Sequence, residues 1–281
     1  MFESLLNEHV RCSNCLVPSP TSRDSASRAV SGRDRLRQIT DAVREAGRIG
    51  VTELAGLTGA SEMTIRRDLE VLADQGVLER YRGGARSLLL RGEEPPFALR
   101  EQEGLDVKRR IAAEVSGLIA DGESVVVDSG TTCLEVARVL EQRRLTVMPL
   151  SLHAVNALAG APQVTLLVPG GQPRPGELAL TGQLTTASLA ALRFDTAVIG
   201  CCGLTAADGL TAYDLDDAAV KRAAIASARR VIAVAAAAKL SRTALAFVTP
   251  VAALHAVVTD DGAADEETDA LAAAGVTVRK V

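Results

Sequence analysis

Tryptophan is absent and aromatic residues make up only 2% of the chain, which excludes an interior built on large rings. Leucine, valine, isoleucine and alanine must fill the core instead. A share of 47% hydrophobic against 23% charged residues is an ordinary globular balance for that task. Lysine is scarce, with four against 27 arginines, a ratio that reads as coding bias rather than as a device for phosphate binding. No run approaches the roughly 18 uninterrupted apolar residues of a membrane span, so no transmembrane helix is expected. The opening residues, MFESLLNEHVRC, carry acids where a signal peptide needs bases. Five cysteines are an odd number in a chain too large to need staples, which argues against a disulfide framework and for a reducing, cytoplasmic setting. Cys12 and Cys15 form one C-x-x-C pair, but a structural zinc site needs two more ligands and no second pair follows. Free thiols are therefore expected there, with no metal and no other cofactor. No fixed-period repeat is visible, which excludes a solenoid.

What is present divides the 281 residues into unlike parts. Residues 1–32 end in PSPTSRDSASRAVSG and read as a disordered arm. From Arg33 the pattern becomes helical: Leu36, Ile39 and Val43 share one face, and Gly47 ends it. Val51, Leu54 and Ala55 mark a second, short helix that stops at Thr58-Gly59-Ala60. Ser61 is a good N-cap for a third, in which Ile65, Leu69 and Leu72 turn inward and Gly76 is placed to end it. Residues 78–82 and 85–88 flank Gly83-Gly84 and read as a β-hairpin. Three short helices and a hairpin make a winged helix-turn-helix at 33–89. Residues 90–106, with Arg91-Gly92-Glu93-Glu94-Pro95-Pro96, read as a linker.

A helix over 107–120 opens the remainder, 107–281. Apolar, strand-like runs then recur at 124–128, 145–150, 164–168, 196–201, 230–235, 244–248, 256–259 and 276–281, and helical segments lie between most of them. Continuous Val/Ile strands alternating with helices predict an α/β domain with a mostly parallel sheet covered on both faces. The charge is split accordingly. Residues 1–92 hold fourteen basic and twelve acidic residues, and the rest holds seventeen and 23. That is the asymmetry of a DNA-binding head on an acidic sensor.

With Ile65, Leu69 and Leu72 inward, the third helix leaves Glu62, Met63, Thr64, Arg66, Arg67 and Asp68 on its outer and flanking faces. There a recognition helix meets base edges in the major groove. Arginine forks onto guanine, and threonine meets an edge or a thymine methyl. Ser61 and the helix N-terminal amides suit a phosphate. Tyr81, Arg82 and Arg86 flank the hairpin turn, where a basic wing reaches the backbone or minor groove. Taken singly these arginines would read as a solvated face. Their position on the two elements that a winged helix presents to DNA favours the functional reading.

Residues 35–86, above all SEMTIRRDLEVLADQGVLERYRGGA, resemble the N-terminal domain of the DeoR family of repressors. The similarity continues through Glu94-Pro95-Pro96-Phe97, Asp128-Ser129-Gly130-Thr131-Thr132, Gly170-Gly171, Gly209-Leu210-Thr211, Ala219-Val220-Lys221-Arg222-Ala223 and Thr259-Asp260-Asp261, in the family's order. The resemblance implies a repressor of a carbohydrate-metabolism operon. It further implies operator DNA bound by a homo-oligomer, modulation by a phosphorylated sugar or related metabolite, and a sensor domain like ribose-5-phosphate isomerase. One winged helix is a small reading surface, so specific binding needs at least a dimer.

On its own terms Asp128-Ser129-Gly130-Thr131-Thr132 follows a strand and opens a helix, so it offers hydroxyls and free amides to an anion at the carboxyl end of a sheet. It is equally an ordinary capped turn, and Lys221 can equally be a surface residue. By the resemblance Asp128, Ser129, Gly130, Thr131, Thr132, Gly170, Gly171, Asp214, Lys221 and Lys239 line an effector pocket. The chain departs from the family at Pro149-Leu150, where a Thr-Asn pair is usual, and at Cys201-Cys202-Gly203 and Ala235-Ala236-Ala237, where aspartates are usual. The sugar-reading side is therefore altered, and a pocket that no longer takes a sugar phosphate is one alternative. An isomerase-like enzyme is the other. Its candidate bases are Asp128, Asp214, Asp216 and Asp217, but acids at 202 and 236 are missing, His9 lies in the tail, and His153 and His255 stand without evident partners. No catalytic residue is expected.

Overall fold

The computed structural model describes residues 32–74, 77–87, 95 and 97–281, with Arg33 and Glu45 described in backbone only. Residues 1–31 of the expected arm, with Cys12, Cys15 and His9, lie outside the described residues, as do Gly76, residues 88–94 and Pro96.

Helical periodicity in the head gives Gly32–Ala46, Val51–Thr58 and Glu62–Asp74. Ile39, Val43, Leu54, Ile65, Leu69 and Leu72 are buried together, as their 3–4 spacing requires. Asp68 is the exception to the outward set. It is buried and accepts from Arg35 Nε at 2.6 Å, tying the third helix to the first. The wing has three strands rather than two. Leu78–Tyr81 and Gly84–Ser87 pair antiparallel, and Arg48–Gly50, read from sequence as a turn, pairs with the other side of Gly84–Ser87. Three residues with one apolar side chain carry too little alternation to be seen as a strand. The turn is Arg82-Gly83, not Gly83-Gly84, and Gly84 serves another purpose. A Cβ there would stand 2.2 Å from the Ile49 carbonyl oxygen, so only glycine lets the third strand approach.

The larger part holds a seven-stranded sheet in which every pairing is parallel. The spatial order is Thr277–Lys280, Ala256–Thr259, Ala228–Val234, Phe194–Gly200, Ser124–Val127, Leu145–Pro149, Val164–Leu166. Alternate side chains feed two separate cores: Val125 and Val127 join one face, Val126 the other. Both faces are dry, which is why these strands are continuous apolar runs. Helices Leu105–Leu118, Thr131–Leu140 and Leu152–Leu158 supply one layer through Ile111, Leu134 and Leu158. Gln183–Ala190, Leu215–Ser227 and Asp265–Ala273 supply the other through Leu189, Val220 and Leu271.

The run at 244–248 does not join this sheet. Ala246–Thr249 pairs antiparallel with Gly209–Ala212, which pairs with Gly203–Thr205 in a small separate sheet. Strand order reverses between Ser124–Val127 and Phe194–Gly200, because the chain builds outward to one edge and then returns to build the other. The carboxyl ends of those two strands therefore flank a crevice, the place where open parallel sheets bind ligands. The segment 90–106 read as a linker contains the helix Phe97–Gln102 and the start of Leu105–Leu118.

Candidate functional site

The third helix presents its N-terminal half to solvent. Ser61 Oγ accepts from the Thr64 amide at 3.2 Å and shares a hydrogen bond with Thr64 Oγ1 at 2.9 Å, which caps the helix. Met63 is 79% exposed, and Arg66 and Arg67 are exposed beside it. Glu62 is engaged within the head, accepting from Thr52 Oγ1 at 2.7 Å and Arg66 at 2.8 Å, so it orients Arg66. In the wing Arg82 is exposed at the turn. Arg86 donates to Glu79 at 2.8 Å across the hairpin, and Tyr81 is half-buried, its hydroxyl on the Ile49 carbonyl at 3.2 Å and its ring 4.0 Å under the Arg48 guanidinium. Tyr81 thus braces the wing, and the outward face at its tip is Arg82.

The second site lies at the crevice. Gly130 has φ +97°, a conformation side-chain-bearing residues rarely adopt, and it turns the chain from strand into the helix Thr131–Leu140. By helix geometry the first amides of that helix have no internal acceptor and point outward with the positive end of the dipole. Ser129, Gly130, Thr131 and Thr132 line a narrow inner cleft of about 30 Å³ with Arg100, Arg174, Lys221 and Lys239. The cleft adjoins an outer cavity of about 760 Å³ that shares Arg100, Thr131, Thr132, Cys202 and Lys239 in its walls. Lys239 Nζ donates to the Cys201 carbonyl at 2.8 Å. The Arg174 Nε is buried with no acceptor, an unmet donor at a cationic mouth.

Beneath the cleft Asp128 is 1% exposed and accepts from the Gly200 amide at 2.9 Å and from Lys221. Lys221 also stands 3.3 Å from Asp217, whose carboxylate lies 3.4 Å from Ser129 Oγ. Burial pulls the Lys221 ammonium down, but the two carboxylates outweigh it and hold its pKa well above the usual lysine value. Lys221 is thus a neutralised strut under the cleft floor.

Of the residues expected to line the pocket, Asp128 lies beneath it and three more stand apart. Gly170 and Gly171 pack against the helix Gln183–Ala190, where Thr185 Oγ1 donates to the Gly170 carbonyl at 2.7 Å, and neither lines the cleft. Asp214 caps the helix Leu215–Ser227, accepting from the Asp217 amide at 2.8 Å. Its side chain is drawn to the helix end and to Arg174, 3.8 Å away, instead of lining either space. The altered positions Cys202, Ala236 and Ala237 do wall the outer cavity, whereas Leu150 is core. Cys133, Cys201 and Cys202 are buried and form no disulfide, and burial pushes the Cys133 thiol up. His153 stacks on Phe97, and His255 Nδ1 accepts from the Val231 amide at 3.1 Å.

Sequence reasoning missed Arg100, Arg174 and Glu177 as cleft residues and did not place Asp217 there. The available signal for Arg100 was apolar spacing inside the supposed linker: Phe97 and Leu99 are residues a solvated connector does not need. Among the described residues no helix is long and apolar enough to cross a membrane.

A winged helix joined to a parallel α/β domain with a cationic cleft at its switch point defines a DNA-binding regulator with a sensing domain. The DeoR-like helix-turn-helix domain matches residues 35–89 and the DeoR C terminal sensor domain matches 103–261. The chain belongs to the DeoR family of transcriptional regulators. It is 30% identical over 233 residues to the HTH-type transcriptional repressor CsqR of Escherichia coli strain K12, covering 83% of this chain and 89% of that one. It is 29% identical to the glycerol-3-phosphate regulon repressor of the same strain, covering 79% and 88%. The ribose 5-phosphate isomerase of Methanocaldococcus jannaschii aligns with 49% of this chain and 55% of its own at 15% identity and a TM-score of 0.37, too distant to bear on function.

Proposed function

We propose that this chain represses a carbohydrate-metabolism operon and that a phosphorylated sugar or related metabolite, bound at the Ser129–Thr132 turn, modulates its hold on operator DNA. The observation that carries the effector reading is the turn itself. Hydroxyls and the first amides of a helix face a cleft whose walls carry Arg100, Arg174 and Lys239 alongside the carboxylates of Glu177 and Asp217, with an unmet Arg174 donor beside them. A relative named for a glycerol-3-phosphate regulon supports a phosphorylated ligand class. Met63, Thr64, Arg66 and Arg67 read the major groove, Ser61 and Arg82 meet phosphate, and Glu62 and Arg86 with its partner Glu79 set the geometry. Tyr81 braces the wing. Residues 33–89 act as the head, 107–281 as the sensing and oligomerising part, and 90–106 as the connector. The protein works in the cytoplasm, where the DNA is. No catalytic role is assigned, since Asp128 and Asp217 are held by Lys221 and Asp214 is a helix cap.

A homo-oligomer forms through the sensing part, where Leu215, Leu245 and Phe247 are 67%, 82% and 55% exposed. The effector reading is tested by thermal shift of the whole chain against phosphorylated sugars and polyols, with the unphosphorylated compounds as controls. A stabilisation that requires the phosphate and disappears in Thr131→Ala is expected. The DNA reading is tested by Arg67→Glu, which should abolish operator binding while leaving the thermal midpoint in place. Normal binding by that variant would refute the assignment of the recognition helix.

A further inference from the structure

The helix Phe97–Gln102 touches three different parts of the molecule within four residues. Phe97 is buried in the sensor core, its ring stacked on His153 with centroids 4.0 Å apart and planes 7° from parallel. Leu99 packs against the core of the winged helix. Directly after these anchors Arg100 turns into the cleft and lines both the inner space and the outer cavity. Its Nε donates to the Pro95 carbonyl at 2.7 Å and its terminal nitrogen to Glu177 at 2.5 Å, with both side chains largely buried. Glu177 sits in a loop over the cleft with Arg174, and the next residue, Leu178, is held at φ +51°, a strained conformation for leucine. The connector is also gripped from both sides. Lys108 donates to the carbonyls of Arg100 and Glu103, and Arg37 of the head's first helix stands 3.0 Å from Glu103. Arg37, Asp41 and Arg44 of that helix wall the outer cavity.

We propose that Arg100 is a ligand of the anionic group bound at the Ser129–Thr132 turn, and that its exchange of Glu177 for that anion reports occupancy of the cleft to the winged helix. This rests on the effector reading above and adds the residue that couples it to DNA. A guanidinium fork suits a phosphate's oxygens, and a phosphate dianion carries more charge than the single carboxylate it displaces. Arg100 moves on a helix anchored in both cores, so a shift of its side chain is felt at Leu99 and at the Glu103–Arg37 pair. By linkage, whatever affinity change the anion causes for DNA, DNA causes for the anion.

The test uses the whole chain and inorganic phosphate as probe, read by hydrogen exchange of backbone amides and by phosphate affinity from thermal shift. In the wild type, phosphate should slow exchange over residues 129–134 and change it over 97–103 and 32–46. Arg100→Gln should weaken phosphate about tenfold or more and erase the response in 32–46. Glu177→Gln, which frees the fork without removing it, should tighten phosphate and keep the response. Protection of 129–134 with equal affinity in the wild type and both variants would overturn the role of Arg100 while leaving the effector site standing. No protection of 129–134 at any phosphate concentration would overturn the effector reading and this proposal together.

Discussion

Replacing Lys221 by methionine removes the cation that stands between Asp128 and Asp217, in a place where the three side chains are 4%, 1% and 9% exposed. Methionine fills nearly the same volume, so little cavity forms and the penalty is electrostatic. Two carboxylates are left buried against each other, and breaking a buried pair from one side costs about 3–5 kcal/mol. With a urea dependence of roughly 2–3 kcal/mol per molar for a domain of this size, the unfolding midpoint should fall by about 1–2 M. The absence of tryptophan makes far-UV circular dichroism the appropriate probe. The deficit should also depend on pH. Burial already holds the Asp128 carboxyl above its usual range and Lys221 opposes it, so in the variant its folded-state pKa lies further above the unfolded one; the penalty is full at neutral pH and is relieved as pH falls and Asp128 protonates. The gap between variant and wild type should therefore narrow toward about pH 5, and Asp128→Asn added to Lys221→Met should recover part of it. A variant with the wild-type midpoint, or a deficit identical at both pH values, would refute the strut beneath the cleft.

Gly130→Ala should cost about 1–2 kcal/mol through its φ of +97° and should weaken phosphate binding, measured by denaturation and thermal shift. Gly84→Ala should lower the head's stability, because its Cβ meets the Ile49 oxygen. Hydrogen exchange over 48–50 and 84–87 should rise, and an unchanged pattern would contradict the third wing strand. Lys108 is held at about 8, chiefly by burial, with Glu103 opposing. Its folded value lies below the unfolded one, so the folded chain sheds this proton first, and the group's contribution to stability rises with pH from about 8 to 10.5. Carbon-13 labelling of the four lysines gives a spectrum simple enough to follow it, with one side chain titrating near 8 and Lys221 staying charged above the usual lysine range.

Elements with many apolar contacts were legible in the sequence, because burial writes a period into the chain. Ile65, Leu69 and Leu72 announce the third helix, and the paired cores on either side of Val125–Val127 explain why the parallel strands read as unbroken apolar runs. At Ser129–Thr132 the sequence marked a strand-to-helix turn with hydroxyls and a glycine, which by itself reads equally as an ordinary capped turn, and the fold sets these residues in the wall of the cleft. What escaped notice depends on tertiary partners. Arg48–Gly50 is a strand only because Gly84–Ser87 lies beside it, and Asp68 faces inward only because Arg35 meets it. Asp214 was expected in the pocket but is drawn to its own helix end. Arg100 sits in a segment whose composition signals a linker, and only the fold brings it 77 residues along the chain to Glu177 and into the cleft.

The measurement that bears most directly on the account is fluorescence anisotropy of labelled DNA from immediately upstream of the protein's own coding sequence. The whole chain is titrated at several salt concentrations, with and without phosphorylated sugars and their unphosphorylated counterparts. Binding should weaken steeply with salt, and the affinity should change only when a phosphorylated compound is present. Binding indifferent to salt, or an affinity that no phosphorylated compound alters while the cleft is shown to be occupied, would contradict the account.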